Sequence, residues 1–169
     1  MTNPLAFDAW DPHAILAAHP RPWGVFPYCD GAQAEGWAEA MSEGLFDHSH
    51  RRYISVVPGI NSWRMADIFD CEPGCYTPAQ AAAAAKARLH QLDDVPAIYC
   101  SLDDVADVAE ACKAAGVERW NLFLATLDGS VPGEVEGIRP VAVQDRGGPT
   151  AAFDVDVVLR PGWMRPPPR

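Results

Sequence analysis

The chain has 169 residues, 49% of them hydrophobic, and a formal net charge of −10 at pH 7. That length fits one domain with a substantial core, and the acidic balance argues against nucleic acid and anionic membranes, whose phosphates call for clustered Lys and Arg. No run of about 18 apolar residues is present to span a membrane, and residues 1–10 lack the basic-then-apolar pattern of a secretory signal.

In chain order, the apolar run 5–10 reads as a first strand. Asp11 before Pro12 is an N-cap with proline in the first turn, opening a helix to about His19. A strand at 24–28 precedes a helix over 32–43, which Gly44 stops. A strand at 53–57 leads to a short helical turn near 61–64 and a strand at 67–71. Thr77-Pro78-Ala79-Gln80 is a capping box. It opens the strongest helix, through five alanines (81–85), to about Gln91. The strand 97–100 is followed by Ser101 and Asp104, a weaker cap for a helix over 102–115 that ends at Gly116. Strands at 121–125, 141–144 and 153–159 bring the number to eight. The single domain covers 1–160, and the Pro-rich segment 161–169 reads as an extended tail docked by Trp163.

Strands alternating with helices indicate a parallel sheet, and eight strands are enough to close a barrel. A full (β/α)₈ barrel takes about 250 residues, so this chain is short of helices. After Ala125 the chain runs through Gly129, Pro132, Gly133 and Gly137, which is loop chemistry. The connection from Gln144 to Phe153, with Gly147, Gly148 and Pro149, is too short for a parallel crossover, which needs about a dozen residues. The expectation is an irregular TIM-like α/β barrel with about five helices, the last three strands lacking helices and the eighth antiparallel. An open doubly wound sheet is the rival, but no Gly-rich phosphate loop supports it, since Gly147-Gly148 opens no helix.

Catalytic groups of such barrels sit at the C-terminal ends of the parallel strands. Asp8 is placed there, as are Asp70 and Glu72. An antiparallel last strand brings its start, with Asp154 or less favourably Asp156, to the same mouth. Residues i and i+2 of a strand share a face, so Asp70 and Glu72 point inward and Cys71 outward. Neighbouring carboxylates repel, which raises one pKa; a raised acid beside an ionised one is the equipment for cleaving a glycosidic bond. Trp10, Tyr28, Tyr99 and Trp120 are candidate walls for stacking sugars, and Gln144 a candidate hydrogen-bonding partner.

Cys29, Cys71, Cys75, Cys100 and Cys112 are odd in number and irregularly spaced, and read as reduced thiols. Cys71 and Cys75 form at most half of a zinc site. His48 and His50 lie in a polar loop beside Arg51 and Arg52. No metal and no cofactor are expected.

The order Phe7-Asp8-Ala9-Trp10, Phe69-Asp70-Cys71-Glu72, Ile98-Tyr99-Cys100-Ser101, Val143-Gln144 and Phe153-Asp154-Val155 resembles the glycoside hydrolase family 25 lysozymes and similar glycosidase-like barrels of actinobacteria and their phages. The resemblance implies an irregular eight-stranded barrel with about five helices, and cleavage of the β-1,4 bond between N-acetylmuramic acid and N-acetylglucosamine in peptidoglycan. It implies Glu72 as general acid and Asp70 as its assistant or the stabiliser of an acetamido group. Asp8 and Asp154 would complete an acidic floor, and Tyr99 and Gln144 would line the cleft. The implied partner is peptidoglycan or another glycan, at the cell wall or in a virion. The alternative is an inactive barrel serving as a phage structural or wall-binding protein.

Overall fold

The computed structural model describes residues 3–59, 61–147 and 151–167. Met1 and Thr2, Gly148 and Pro149 of the glycine-rich connection, and Pro168 and Arg169 of the tail lie outside the described residues. The elements in order are β1 (Leu5–Asp8), α1 (Pro12–Ala18), β2 (Gly24–Val25), α2 (Ala34–Ser42), β3 (His50–Arg51), β4 (Ile54–Ser55), α3 (Ser62–Met65), β5 (Ile68–Cys71), α4 (Pro78–Leu92), β6 (Ala97–Ser101), α5 (Val105–Ala115), β7 (Asn121–Ala125), β8 (Ala142–Arg146) and β9 (Asp154–Val158).

Local chemistry sets most helix ends. Asp11 accepts from the His13 backbone N–H at 2.9 Å. Thr77 and Gln80 form both halves of the capping box ahead of α4. Gly116 closes α5 at φ 72°, a left-handed conformation that glycine adopts without strain. Ser101 departs from its expected role: its hydroxyl bonds the Asp104 carboxylate at 2.6 Å instead of capping the backbone. A 3₁₀ turn at Leu102–Asp104 results, and α5 begins three residues later than the cap signal places it.

One sheet holds the strands in the order β3-β2-β1-β9-β8-β7-β6-β5-β4. All neighbours are parallel except β9, which is antiparallel to both β1 and β8, as the short connection before it requires. The expected strand at 53–57 is reduced to β4, and a further short strand, β3, precedes it, so the sheet has nine strands and His50 belongs to one of them rather than to a loop. The break falls at Arg52 and Tyr53. The Tyr53 backbone N–H donates to Asp67 Oδ2 at 3.0 Å, and the Arg52 guanidinium reaches Asp67 (3.3 Å) and the Trp163 carbonyl (2.8 Å). A buried carboxylate thus takes the N–H that a sheet neighbour would have received.

The sheet curls so that its two ends approach. A parallel bridge pairs Tyr28 with Ile54, at the same sequence offset that pairs Gly24 with His50 and Val25 with Arg51. The bonds Cys29 N–H to Ile54 O and Ile54 N–H to Pro27 O, each 2.8 Å, carry that contact. The architecture is therefore mixed α/β and barrel-like, with α-helices after β1, β2, β4, β5 and β6. Among the described residues no α-helix follows β7.

The curl divides the core by strand alternation. Outward-facing Phe69, Cys71, Ile98, Cys100, Leu122, Leu124 and Val143 pack against α4 and α5. Inward-facing Ala6, Phe26, Ile68, Ala97, Phe123, Ala142 and Val158 fill the interior. Trp163 and Met164 are buried in that interior, so the C-terminal segment plugs its lower end instead of trailing from it. Arg165 completes the plug, pairing with Asp67 at 2.5 Å and Asp94 at 2.9 Å. Arg52 and Arg88 join the same two carboxylates.

Candidate active site

The interior changes character within one pleat. Stepping two residues along a strand towards the open end replaces Ala6 by Asp8, Phe26 by Tyr28, Ile68 by Asp70, Ala97 by Tyr99 and Ala142 by Gln144. On antiparallel β9 the same step runs backwards, from Val158 to Asp156 and then to Asp154. An apolar floor thus carries a polar layer, and above it opens a cavity of about 620 Å³. Asp8, Asp70, Glu72, Asp154, Tyr28, Tyr99, Gln144 and Trp10 all line it.

Register explains the convergence. Asp8 stands directly opposite Asp154 on β9, and Ala6 opposite Asp156. Gln144 on β8 faces Asp156 from the other side. Asp8 is buried and accepts a hydrogen bond from the Tyr28 hydroxyl at 3.0 Å. Burial and the charge of Asp154 push its carboxyl well above the usual range. Asp156 is fully buried beside Asp8, and burial with the charge of Asp8 raises it likewise. Two acids so placed oppose each other's ionisation.

On the opposite wall, Asp70 is the penultimate residue of β5 and Glu72 lies in the turn just after it. Asp70 is 7% exposed and its Oδ1 is without a partner. Burial first, then Glu72 and Asp30, push its carboxyl up to about 8. Glu72 is only half-buried; burial raises it and the Tyr99 hydroxyl lowers it. That hydroxyl lies between the Glu72 carboxylate and Gln144 Oε1, and its single proton serves one of them at a time. The site therefore sets a deeply buried acid, Asp70, largely neutral at pH 7, beside a more exposed one, Glu72. No Lys, Arg or His lines the cavity among the described residues.

The rim is apolar and wet: Trp10 is 72% exposed, with Val57 and Leu127 also exposed. Trp120 is not part of this wall. It precedes β7, at the other end of the strands, and lines a separate shallow groove with Arg119 and Arg139. Cys71 packs against the helices while Cys75 lines the cavity, so the two thiols face different surroundings. Among the described residues no cluster of His, Cys, Asp or Glu is arranged to hold a metal ion.

Three features escaped the sequence reading. Asp156 ranked there below Asp154, yet the alternation Asp-Val-Asp-Val-Val places both acids inside. Asp145 sits in a β-bulge between Gln144 and Arg146, where two residues face one on β9; this has no signal in composition. Gly147 was read as loop chemistry, but a Cβ built on it would stand 1.8 Å from Asp154 Oδ1. The missing side chain is the space that the Asp154 carboxyl occupies.

No protein-family model matches the chain, and neither curated proteins nor solved structures give a significant match.

Proposed function

We propose that the cavity is a glycosidase site of lysozyme type, acting on the glycan strands of peptidoglycan, and that the curled sheet is an irregular TIM-like barrel. The observation that carries this reading is the meeting of Asp70 and Glu72 with the Asp8–Asp154 pair around one cavity that no Lys, Arg or His lines among the described residues. Carboxylates kept only for stability are usually paired with Arg or Lys, because burying an unpaired charge is costly. Here protons take the place of cations, and protonated carboxyls are what leaving-group protonation uses.

In this reading Glu72 is the general acid. It is the accessible member of the raised group, and Tyr99 can withdraw or return a hydrogen bond as its charge changes. Asp70, neutral at pH 7, donates its proton to a substrate oxygen and orients the ring, as an acetamido group would require. Asp8 and Asp154 stand across the cavity, where an ionised carboxylate activates water or stabilises oxocarbenium-like charge. The exposed Trp10 offers its face to a neighbouring sugar. The expected activity profile is bell-shaped in pH.

The test is turbidity loss of purified cell walls, with the parent protein compared with Glu72→Gln. Loss of lysis in the variant, with the fold intact by circular dichroism, supports the reading. Equal lysis removes Glu72 from the role of acid. No lysis by either protein leaves a non-catalytic glycan-binding barrel as the better account.

A further inference from the structure

We infer that the sugar best suited to this cavity carries a free ammonium group, as a de-N-acetylated hexosamine in chitosan-like or de-N-acetylated peptidoglycan strands does. The inference rests on the glycosidase reading and replaces its fully N-acetylated substrate.

Three observations carry it. First, the lining contains four carboxyl groups and, among the described residues, no cation. The lactyl carboxylate of muramic acid would meet no cation there and would oppose ionisation of these acids, whereas an ammonium favours it. Second, Asp70 presents an acceptor that no described residue satisfies: it is more than nine-tenths buried, lines the cavity and has an Oδ1 without a partner. Buried polar atoms without partners are rare and point to a missing partner. An ammonium brings three donors and no acceptor, and its bonds to carboxylates are of the strong charge-assisted kind. An acetamide brings one N–H where an ammonium brings three, and adds a carbonyl that gains nothing from the carboxylates.

Third, the arginines nearest the interior are already committed elsewhere. Arg52, Arg88 and Arg165 pair with Asp67 and Asp94 at the lower end of the interior, behind Trp163 and Met164. The groups facing Asp70 are Glu72 from its own turn, Asp30 from beyond β2, and Asp8 from β1. All are acidic, so the field at the cavity is not cancelled locally. An arriving ammonium favours the ionised form of these acids, and protons leave as it binds.

The experiment is titration calorimetry of Glu72→Gln with glucosamine hexamer and with N-acetylglucosamine hexamer, in buffers of different ionisation enthalpy. The expected result is binding of the amine form about tenfold tighter or more, with heats that vary with buffer in the sense of proton release. Equal or tighter binding of the N-acetylated hexamer, or heats independent of buffer, overturns the inference. Asp8→Asn is titrated in the same way should Glu72→Gln fail to fold. Hydrolysis of both hexamers and of cell walls by the parent protein separates the two ideas. Cleavage confined to N-acetylated glycans keeps the glycosidase reading and defeats this one. Selective amine binding with no cleavage of any glycan keeps the ligand class and defeats the glycosidase.

Discussion

Replacing Asp70 by Asn should stabilise the protein at neutral pH. In the unfolded chain the carboxyl ionises near its ordinary value of 3.8, whereas in the native state it does so only at about 8. Between those values the folded form binds more protons than the unfolded one, so stability falls as pH rises. Each pH unit costs about 1.4 kcal/mol, so at pH 7 the roughly three units above the unfolded pKa cost at most about 4 kcal/mol. Asn is neutral at every pH and nearly isosteric, so it escapes that cost; its amide still needs partners, which leaves an expected gain of about 2–4 kcal/mol. For a chain of this size that corresponds to a rise in Tm of about 5–15 °C. Thermal melts of parent and variant from pH 4 to pH 9 test it. The curves should coincide near pH 4, diverge through the window up to pH 8, and run parallel above it. A variant equal to the parent across the range would show that Asp70 ionises normally, and that the wall around it is wetter than the packing implies. The same variant should lose glycan cleavage, a gain in stability bought at the site's expense.

Gly147→Ala should leave the secondary structure intact by circular dichroism but cut activity by an order of magnitude or more, since its methyl needs the space of the Asp154 carboxyl. Trp10→Ala should change stability by less than about 0.5 kcal/mol, because the side chain is 72% exposed, while raising KM for glycan; an unchanged KM would remove it from the binding wall. Asp67→Asn should destabilise by about 3–5 kcal/mol in urea unfolding, because it leaves the buried Arg88 and Arg52 short of a counter-charge. Retained stability would mean that Asp94 alone balances the three arginines.

What the sequence made legible follows from interactions close in the chain. The capping box at Thr77, the Asp11 cap and the Gly116 stop are satisfied within one helical turn, so residue type and spacing suffice. The antiparallel direction of β9 follows from the length of the connection before it, and the shared wall of Asp70 and Glu72 from strand alternation. What stayed hidden depends on partners far away. The strand expected at 53–57 begins only at Ile54, because the Tyr53 N–H goes to Asp67, which in turn answers Arg88 and Arg165. Trp120 is apolar and adjacent to a strand, but it stands at the wrong end; residue type alone carries no information about which end faces the mouth. Ser101 has two acceptable partners, and the nearby Asp104 carboxylate wins over the backbone.

The two ends of the interior treat the same chemistry in opposite ways. At the lower end, Asp67 has no exposed side-chain surface and meets three guanidinium groups, so burial of its charge is compensated and the C-terminal segment is locked in place. At the open end, Asp8, Asp70 and Asp156 are as deeply buried and meet none among the described residues; burial instead raises all three carboxyls, Asp70 to about 8. One strand, β5, spans this contrast within four residues, from Asp67 just before its start to Asp70 near its end. A chain that can supply Arg52, Arg88 and Arg165 to one set of carboxylates has no physical bar to supplying one to the other. In the glycosidase reading proposed above, the upper set is left without a guanidinium so that a substrate can meet the carboxyls that line the cavity.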